Sequence, residues 1–240
     1  GLGFIVWNDV AEKKFRFRRY ALHTKIVLVS TAAAILLAAA LFLFTEQNGV
    51  FAGLKGGERV LNALFCAVTP RTAGFNTVDV AAISESGRLL TCLLMLIGAG
   101  SGSTGGGVKI NSCALLALAI FAYVTHRPGV NIFGRQISWD TVHKAFATAI
   151  IYICAAITGC FVITAAHGFL WGDALFECLS ALSTVGLSVG ISGELGLTGK
   201  MMIILLMYVG RVGSLTVFIA LAQGKDLPHT RYPEEDIAIG

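Results

Sequence analysis

Thr69-Pro70-Arg71-Thr72-Ala73-Gly74-Phe75-Asn76-Thr77 is the stretch on which the reading of this chain turns. It is too polar, and too strongly marked by Pro and Gly, to continue a helix, yet apolar segments stand on both sides of it. Just before it, residues 58–69 start polar at Glu58-Arg59 and finish apolar, the pattern of a short helix that Pro70 stops. At about 1.5 Å per residue such a helix covers only about half of a bilayer core. It enters and halts, delivering the 70–77 loop at mid-depth. The partly negative C-terminal end of its dipole faces the loop, a favourable place for a cation.

Composition points the same way. The 240 residues are 55% hydrophobic and 13% charged, against roughly 25% charged in ordinary soluble domains. Too little polar surface remains to cover a soluble fold, so an integral membrane protein is expected. The net charge of +4 is modest and argues for membrane orientation, not for nucleic acid. Six cysteines lie mostly inside apolar runs with no CxxC pair, which predicts free buried thiols without a disulfide framework or metal site. The chain begins at Gly1, which suggests an N-terminally truncated fragment.

Outward from the loop, the chain reads as alternating apolar and polar segments. Residues 1–25 hold Lys13, Lys14, Arg16, Arg18, Arg19 and Lys25 with Phe15, Phe17 and Tyr20 interleaved, a cytoplasmic juxtamembrane segment. Residues 26–44 carry no charge and are long enough to span, and residues 45–57 turn polar and Gly-rich. After the loop, Gly87-Arg88 opens an apolar run broken by Gly98-Ala99-Gly100-Ser101-Gly102-Ser103-Thr104-Gly105-Gly106-Gly107. Each Gly costs a helix about 1 kcal/mol relative to Ala. The segment is therefore non-helical, and at membrane depth it must lie inside protein or beside a water-filled path. Its likeness to a phosphate-binding loop is superficial, because the GxxxxGK[ST] spacing is absent. Lys109 and apolar residues 110–124 follow, then a basic connection over 126–144.

The pattern then recurs. Residues 145–166 can span, Ala174 to Leu182 reads as a second short helix, and Ser183-Thr184-Val185-Gly186-Leu187-Ser188 forms a second loop. Apolar residues 201–222, with Arg211 among them, precede a polar tail at 224–240. A shift of 112 sets Thr72-Ala73-Gly74-Phe75-Asn76 on Thr184-Val185-Gly186-Leu187-Ser188, Gly87-Arg88 on Gly199-Lys200, and Thr104 on Thr216. Before the loops the better shift is 111, which sets Ala63-Leu64-Phe65 on Ala174-Leu175-Phe176. These matches predict an all-α membrane protein of two parallel repeats, 26–125 and 145–223, each a spanning helix, a short pore helix, a filter loop and a second helix. Eleven basic residues fall on one side, in 1–25, 125–144 and 223–240, and four on the other: Lys55, Arg59, Arg71 and Lys200. The positive-inside bias puts both loops outside and both ends of the chain in the cytoplasm.

Potassium selectivity needs rings of backbone carbonyls in place of the ion's water shell. Gly74 and Gly186 let carbonyls turn inward without a side-chain clash, and neighbouring Thr, Asn and Ser side chains can brace the backbone. Gly74 and Gly186 as mere tight turns is the competing reading. Arg211 stands mid-helix without an acid nearby, so loop carbonyls are its natural acceptors, whereas Lys109 fits a functional or a cytoplasmic-facing role equally. A secondary ion-coupled transporter built from broken-helix repeats is the alternative function. It would need convergent polar side chains at the midplane, and these loops are almost wholly backbone chemistry. No paired carboxylates, nucleophile–base pair or metal spacing supports an enzyme.

Thr-Ala-Gly-Phe-Asn at 72–76, Gly-Ser-Thr-Gly-Gly-Gly-Val-Lys at 102–109 and Tyr-Val-Gly-Arg at 208–211, in the repeat just described, resemble the Trk/Ktr/HKT superfamily of potassium translocators. The resemblance covers essentially the whole chain but only the third and fourth of that family's four repeats. It implies potassium uptake through filter residues Thr72, Ala73, Gly74, Phe75, Asn76, Thr184, Val185, Gly186, Leu187 and Ser188. It implies an intramembrane gating loop over Gly98, Gly100, Gly102, Ser103, Thr104, Gly105, Gly106 and Gly107, flanked by Lys109 and opposed by a pore-facing Arg211. It further implies K+ as the transported ion, Na+ as a candidate activator and no bound cofactor. The expected location is a bacterial plasma membrane. Implied partners are the absent N-terminal half, a second copy in a homodimer, the lipid bilayer and a cytosolic nucleotide-binding RCK ring of the KtrA kind.

Overall fold

A computed structural model describes residues 1–14, 16–127 and 129–213. Phe15, the tail at 224–240, the end of the second repeat from 214 and the Thr216 match lie outside the described residues. Among the described residues there are eight α-helices and one two-stranded hairpin. They are α1 (Phe4–Lys13), α2 (Leu22–Thr45), α3 (Gly56–Val68), α4 (Glu85–Ile97), α5 (Ile110–Val124), α6 (Trp139–His167), α7 (Trp171–Leu182) and α8 (Leu197–Val212). Helices α2 and α6 are long and apolar enough to cross a membrane.

Local chemistry sets the ends of these helices. Glu58 in the first turn of α3 accepts the Lys55 amide at 3.1 Å, and Ser84 caps α4 by accepting the Gly87 amide at 3.1 Å. Helix α3 stops at Val68, two residues short of Pro70. Helix α4 stops at Gly98, whose φ of 63° and ψ of −155° suit glycine almost alone. Helix α6 ends on Gly168 in the left-handed region.

Three boundaries differ from the sequence reading. Helix α6 begins at Trp139, not at 145, because its first turns are polar and are held by a 2.7 Å Lys144–Asp140 ion pair. The 126–144 connection contains a hairpin, β1 (Val130–Ile132) against β2 (Arg135–Ile137), turning at Phe133 (φ 50°) and Gly134 (φ 74°). The juxtamembrane segment contains α1, whose Val6 is buried with Val27 and Ile110.

Each short helix is cradled by its long neighbour. Ala38, Ala39 and Phe42 of α2 pack on Ala63, Cys66 and Ala67 of α3. Tyr152, Ala156 and Ile163 of α6 pack on Phe176, Cys178 and Leu182 of α7. Helix α4 joins the halves: its Cys92 and Met95 belong to the core of the second. Leu36, Leu37 and Phe44 on α2, and Ile157 and Phe161 on α6, stay exposed, apolar faces that a water-soluble surface would not carry.

Candidate functional site

The two loops share a backbone signature. Thr72 and Gly74 take φ of 71° and 75°, and Thr184 and Gly186 take 56° and 90°. Positive φ is strained for threonine, and its recurrence at the same place in both loops marks a turn that the surroundings enforce. A hydroxyl from the preceding short helix braces each turn. Thr69 Oγ1 donates to the Phe75 carbonyl, and Ser180 Oγ donates to the Leu187 carbonyl at 2.5 Å while accepting the Gly186 amide at 3.2 Å. Ala73 and Gly74 donate to the Thr69 carbonyl, and Val185 donates to the Ser180 carbonyl at 2.9 Å. The loops meet: a Cβ on Gly74 would collide with the Val185 carbonyl oxygen, while Gly186 faces open space. Ala73, Phe75, Asn76, Gly186 and Ser188 are exposed, whereas Val185 and Leu187 are buried. Among the described residues, the Asn76 side chain reaches only the Val78 carbonyl, at 3.4 Å.

Beneath them lies the Gly-rich segment. Its neck is closed where Gly98 and Gly107 cross, so tightly that a Cβ on Gly107 would stand 2.6 Å from the Gly98 Cα. Val108 donates to Leu96 at 3.0 Å and Ile110 to Ala99 at 2.9 Å across the neck. The body of the loop is pressed up against both turns. The Gly106 amide donates to Thr184 Oγ1 at 3.0 Å, and a Cβ on Gly105 would strike Thr72 Oγ1. Ser103 Oγ donates to the Gly100 carbonyl at 2.6 Å, and Gly102 lies at the exposed tip beside Ile5.

Three cations hold this loop by its carbonyls. Arg211 Nη1 of α8 donates to Thr104 O at 2.6 Å, Lys109 Nζ to Gly105 O, and Arg71 Nε to Gly98 O at 3.2 Å. Helix α8 comes close enough because Gly210 leaves no Cβ where the Leu182 carbonyl sits. A cavity of about 550 Å³ runs along the second loop from Glu177 and Ser192 past Thr184 and Gly186 to Met207 and Arg211.

Several residues here were not foreseen from sequence. Arg71 is buried and also donates to Thr31 Oγ1 of α2 at 3.3 Å. Gly1 accepts the Gly100 amide at 2.7 Å, and Phe4 donates to Gly102 at 3.0 Å, so residues 1–4 lie along the loop. Glu177 is buried behind the second loop. The signal available for the braces was the hydroxyl at Thr69 and at Ser180, which the shift of 111 aligns. Among the described residues, no group of three or more His, Cys, Asp or Glu side chains is placed to hold a metal.

The sequence profile of the TrkH family, described as cation transport proteins, matches residues 15–230. The chain belongs to the TrkH family. It is 37% identical, over its full length and 54% of the relative's, to the potassium/sodium uptake protein NtpJ of Enterococcus hirae. It is 35% identical to the Ktr system potassium uptake protein B of Vibrio alginolyticus, covering 53% of that protein. Among solved structures, the potassium transporter TrkH from Vibrio parahaemolyticus superposes with a TM-score of 0.73 at 20% identity, over 91% of this chain and 48% of that one. That likeness speaks for the fold. The chain thus spans about half the length of the curated relatives it matches. The mostly helical membrane architecture is that of a TrkH-family member.

Proposed function

We propose that this TrkH-family chain is half of a cation translocator that moves potassium through backbone-carbonyl filter loops above an intramembrane gate. The two Thr-x-Gly turns, strained alike and seated on one Gly-rich loop, carry the reading. Thr72 to Asn76 and Thr184 to Ser188 each supply one wall of the filter, and the loop from Gly98 to Gly107 obstructs the path below. Arg211 and Lys109 tie consecutive carbonyls of that loop, so their release would free it to move. The family description and the relatives' names, potassium and potassium/sodium uptake, support the substrate class.

The rest of the assembly follows from the same reading. The excess of basic residues on one side orients the filter loops outward across a plasma membrane. Two walls leave a ring open, and an N-terminal half of similar length supplies the other two. A homodimer, a cytosolic nucleotide-binding RCK ring and activation by Na+ complete the proposal.

The test is potassium flux through the full-length transporter in proteoliposomes, with Na+ as competitor, in Gly74→Ser and Gly186→Ser variants. A Cβ at Gly74 meets Val185 and one at Gly186 meets only the strain of φ 90°, so Gly74→Ser is the more damaging. Potassium over sodium preference should fall about tenfold or more, equal to about 1.4 kcal/mol of differential binding. Preference as in the parent protein in both variants would refute the filter assignment.

A further inference from the structure

The two filter turns are braced alike on their inner face but differently at their outer exit. In the second, Glu177 lies one turn from the end of α7 and is 4% exposed. Its Oε1 accepts Ser188 Oγ at 2.5 Å and the Val189 amide at 3.0 Å, and its Oε2 accepts Ser192 Oγ at 2.7 Å. Ser188 Oγ in turn accepts the Gly190 amide at 2.9 Å. Donors thus converge on both carboxylate oxygens from both sides of the loop's exit, and the residue lines the cavity beside Gly186. Among the described residues, the first turn has no such device. The position that a shift of 111 sets on Glu177 is Cys66, and Asn76, the counterpart of Ser188, holds one long hydrogen bond to Val78.

We propose that Glu177 is a positioning residue of the second filter loop, its carboxylate fixing the exit from Ser188 to Ser192 and thereby the ion preference of the pathway. This rests on the permeation reading above. A carboxylate buried against a pore is costly, and it is retained here in one loop while an uncharged cysteine serves the other. The requirement is therefore local to the second turn, not a demand of the fold that both halves share. The loop it holds has the more exposed glycine, Gly186, where among the described residues no atom lies within 4 Å of a Cβ to keep it in place. Where packing does not fix a turn, hydrogen bonds must. Glu177 does not touch the ion in this account. It sets where the Gly186 and Leu187 carbonyls point by anchoring the chain just beyond them.

The experiment is Rb+ and K+ uptake by the full-length transporter in proteoliposomes, with Na+ competition, at low and high concentrations of an impermeant salt. Glu177→Gln keeps the shape but turns one acceptor into a donor facing Ser192, and Ser192→Ala removes one bond with the charge intact. Glu177→Gln should raise KM for K+ about tenfold, the scale of a lost bond to a buried charge, and lower K+ over Na+ preference while Vmax is retained. Ser192→Ala should shift both in the same direction by less, and both effects should persist at high salt. Unchanged KM and preference in Glu177→Gln, with Gly186→Ser impaired, would overturn the proposal. So would an effect that high salt abolishes, or a silent Ser192→Ala, since either reports charge attraction and not bracing. If Glu177→Gln fails to fold, Ser192→Ala alone decides. If Gly186→Ser also keeps its preference, the filter reading itself fails.

Discussion

Arg71 carries a charge into the interior, where among the described residues no carboxylate pairs with it. Its Nε holds the Gly98 carbonyl and its Nη2 holds Thr31, so one side chain ties the first Thr-x-Gly loop to the neck of the Gly-rich loop and to α2. Buried cations without acids rely on carbonyl and hydroxyl oxygens, and the fork of a guanidinium can reach two at once where an ammonium is a single point. Arg71→Lys should therefore fall short and Arg71→Met should fail altogether. We expect Arg71→Met to lower stability by about 2–3 kcal/mol, read as a depressed apparent Tm of the full-length transporter, with Arg71→Lys intermediate. Equal Tm in all three would show that the two bonds are dispensable. The sequence singles out Arg71 as the charge nearest the first loop, but its partners lie 27 and 40 positions away. No local pattern reports them.

At the scale of elements, what could be read from sequence was punctuation. Pro70, Gly98 and the run through Gly107 end helices by removing a donor or by taking conformations that other residues avoid, and these are local effects. Helix α1 was missed because the reading of residues 1–25 rested on the basic and aromatic residues from Lys13 onward, nearly all of which follow the helix, and because its docking depends on contacts made elsewhere. Asp9 makes the main polar one. It accepts the Ala21 amide at 2.9 Å, just where α2 begins, and pairs with Lys13. The Lys13 hydrogen bond above all, then the Thr24 hydroxyl and the Ala21 amide, hold the Asp9 carboxyl at about 2, below its ordinary 3.8. A depressed carboxyl favours the docked helix fully above its ordinary value and ceases to as pH falls through the depressed one. Helix α1 should therefore loosen between about pH 4 and pH 2 and be indifferent to pH from 5 to 8. Hydrogen–deuterium exchange of the α1 amides around buried Val6 should rise across that acid window, and Asp9→Asn should abolish the window by loosening α1 at every pH.

Across the whole molecule, the contacts between the halves that lie nearest the two Thr-x-Gly turns set how those turns register. Helix α4 packs on α7, Gly74 abuts Val185, and Arg88 of α4 pairs with Asp173 at the start of α7 at 2.9 Å. Arg88 also donates to the Ala81 carbonyl at 2.6 Å, so it is already oriented when it reaches across. Sequence order could not announce this pair, because Gly-Arg at 87–88 aligns with Gly-Lys at 199–200 and suggests a role repeated within each half. Lys200 is exposed, and among the described residues no ion pair involves it. Both partners of the Arg88–Asp173 bridge are about three-quarters buried, which limits screening without stranding either charge from water. A double-mutant cycle over Arg88→Ala and Asp173→Ala should return a coupling of about 1 kcal/mol in the stability of the full-length transporter. Because Ala81 also loses its donor, Arg88→Ala should cost more than Asp173→Ala. If the bridge also sets the relative height of the two filter turns, each single variant should weaken potassium over sodium preference and the double variant should add little. Additive stability losses with ion preference untouched would show that Arg88–Asp173 does not set this register, leaving it to the packing of α4 on α7 and to the meeting of Gly74 with Val185.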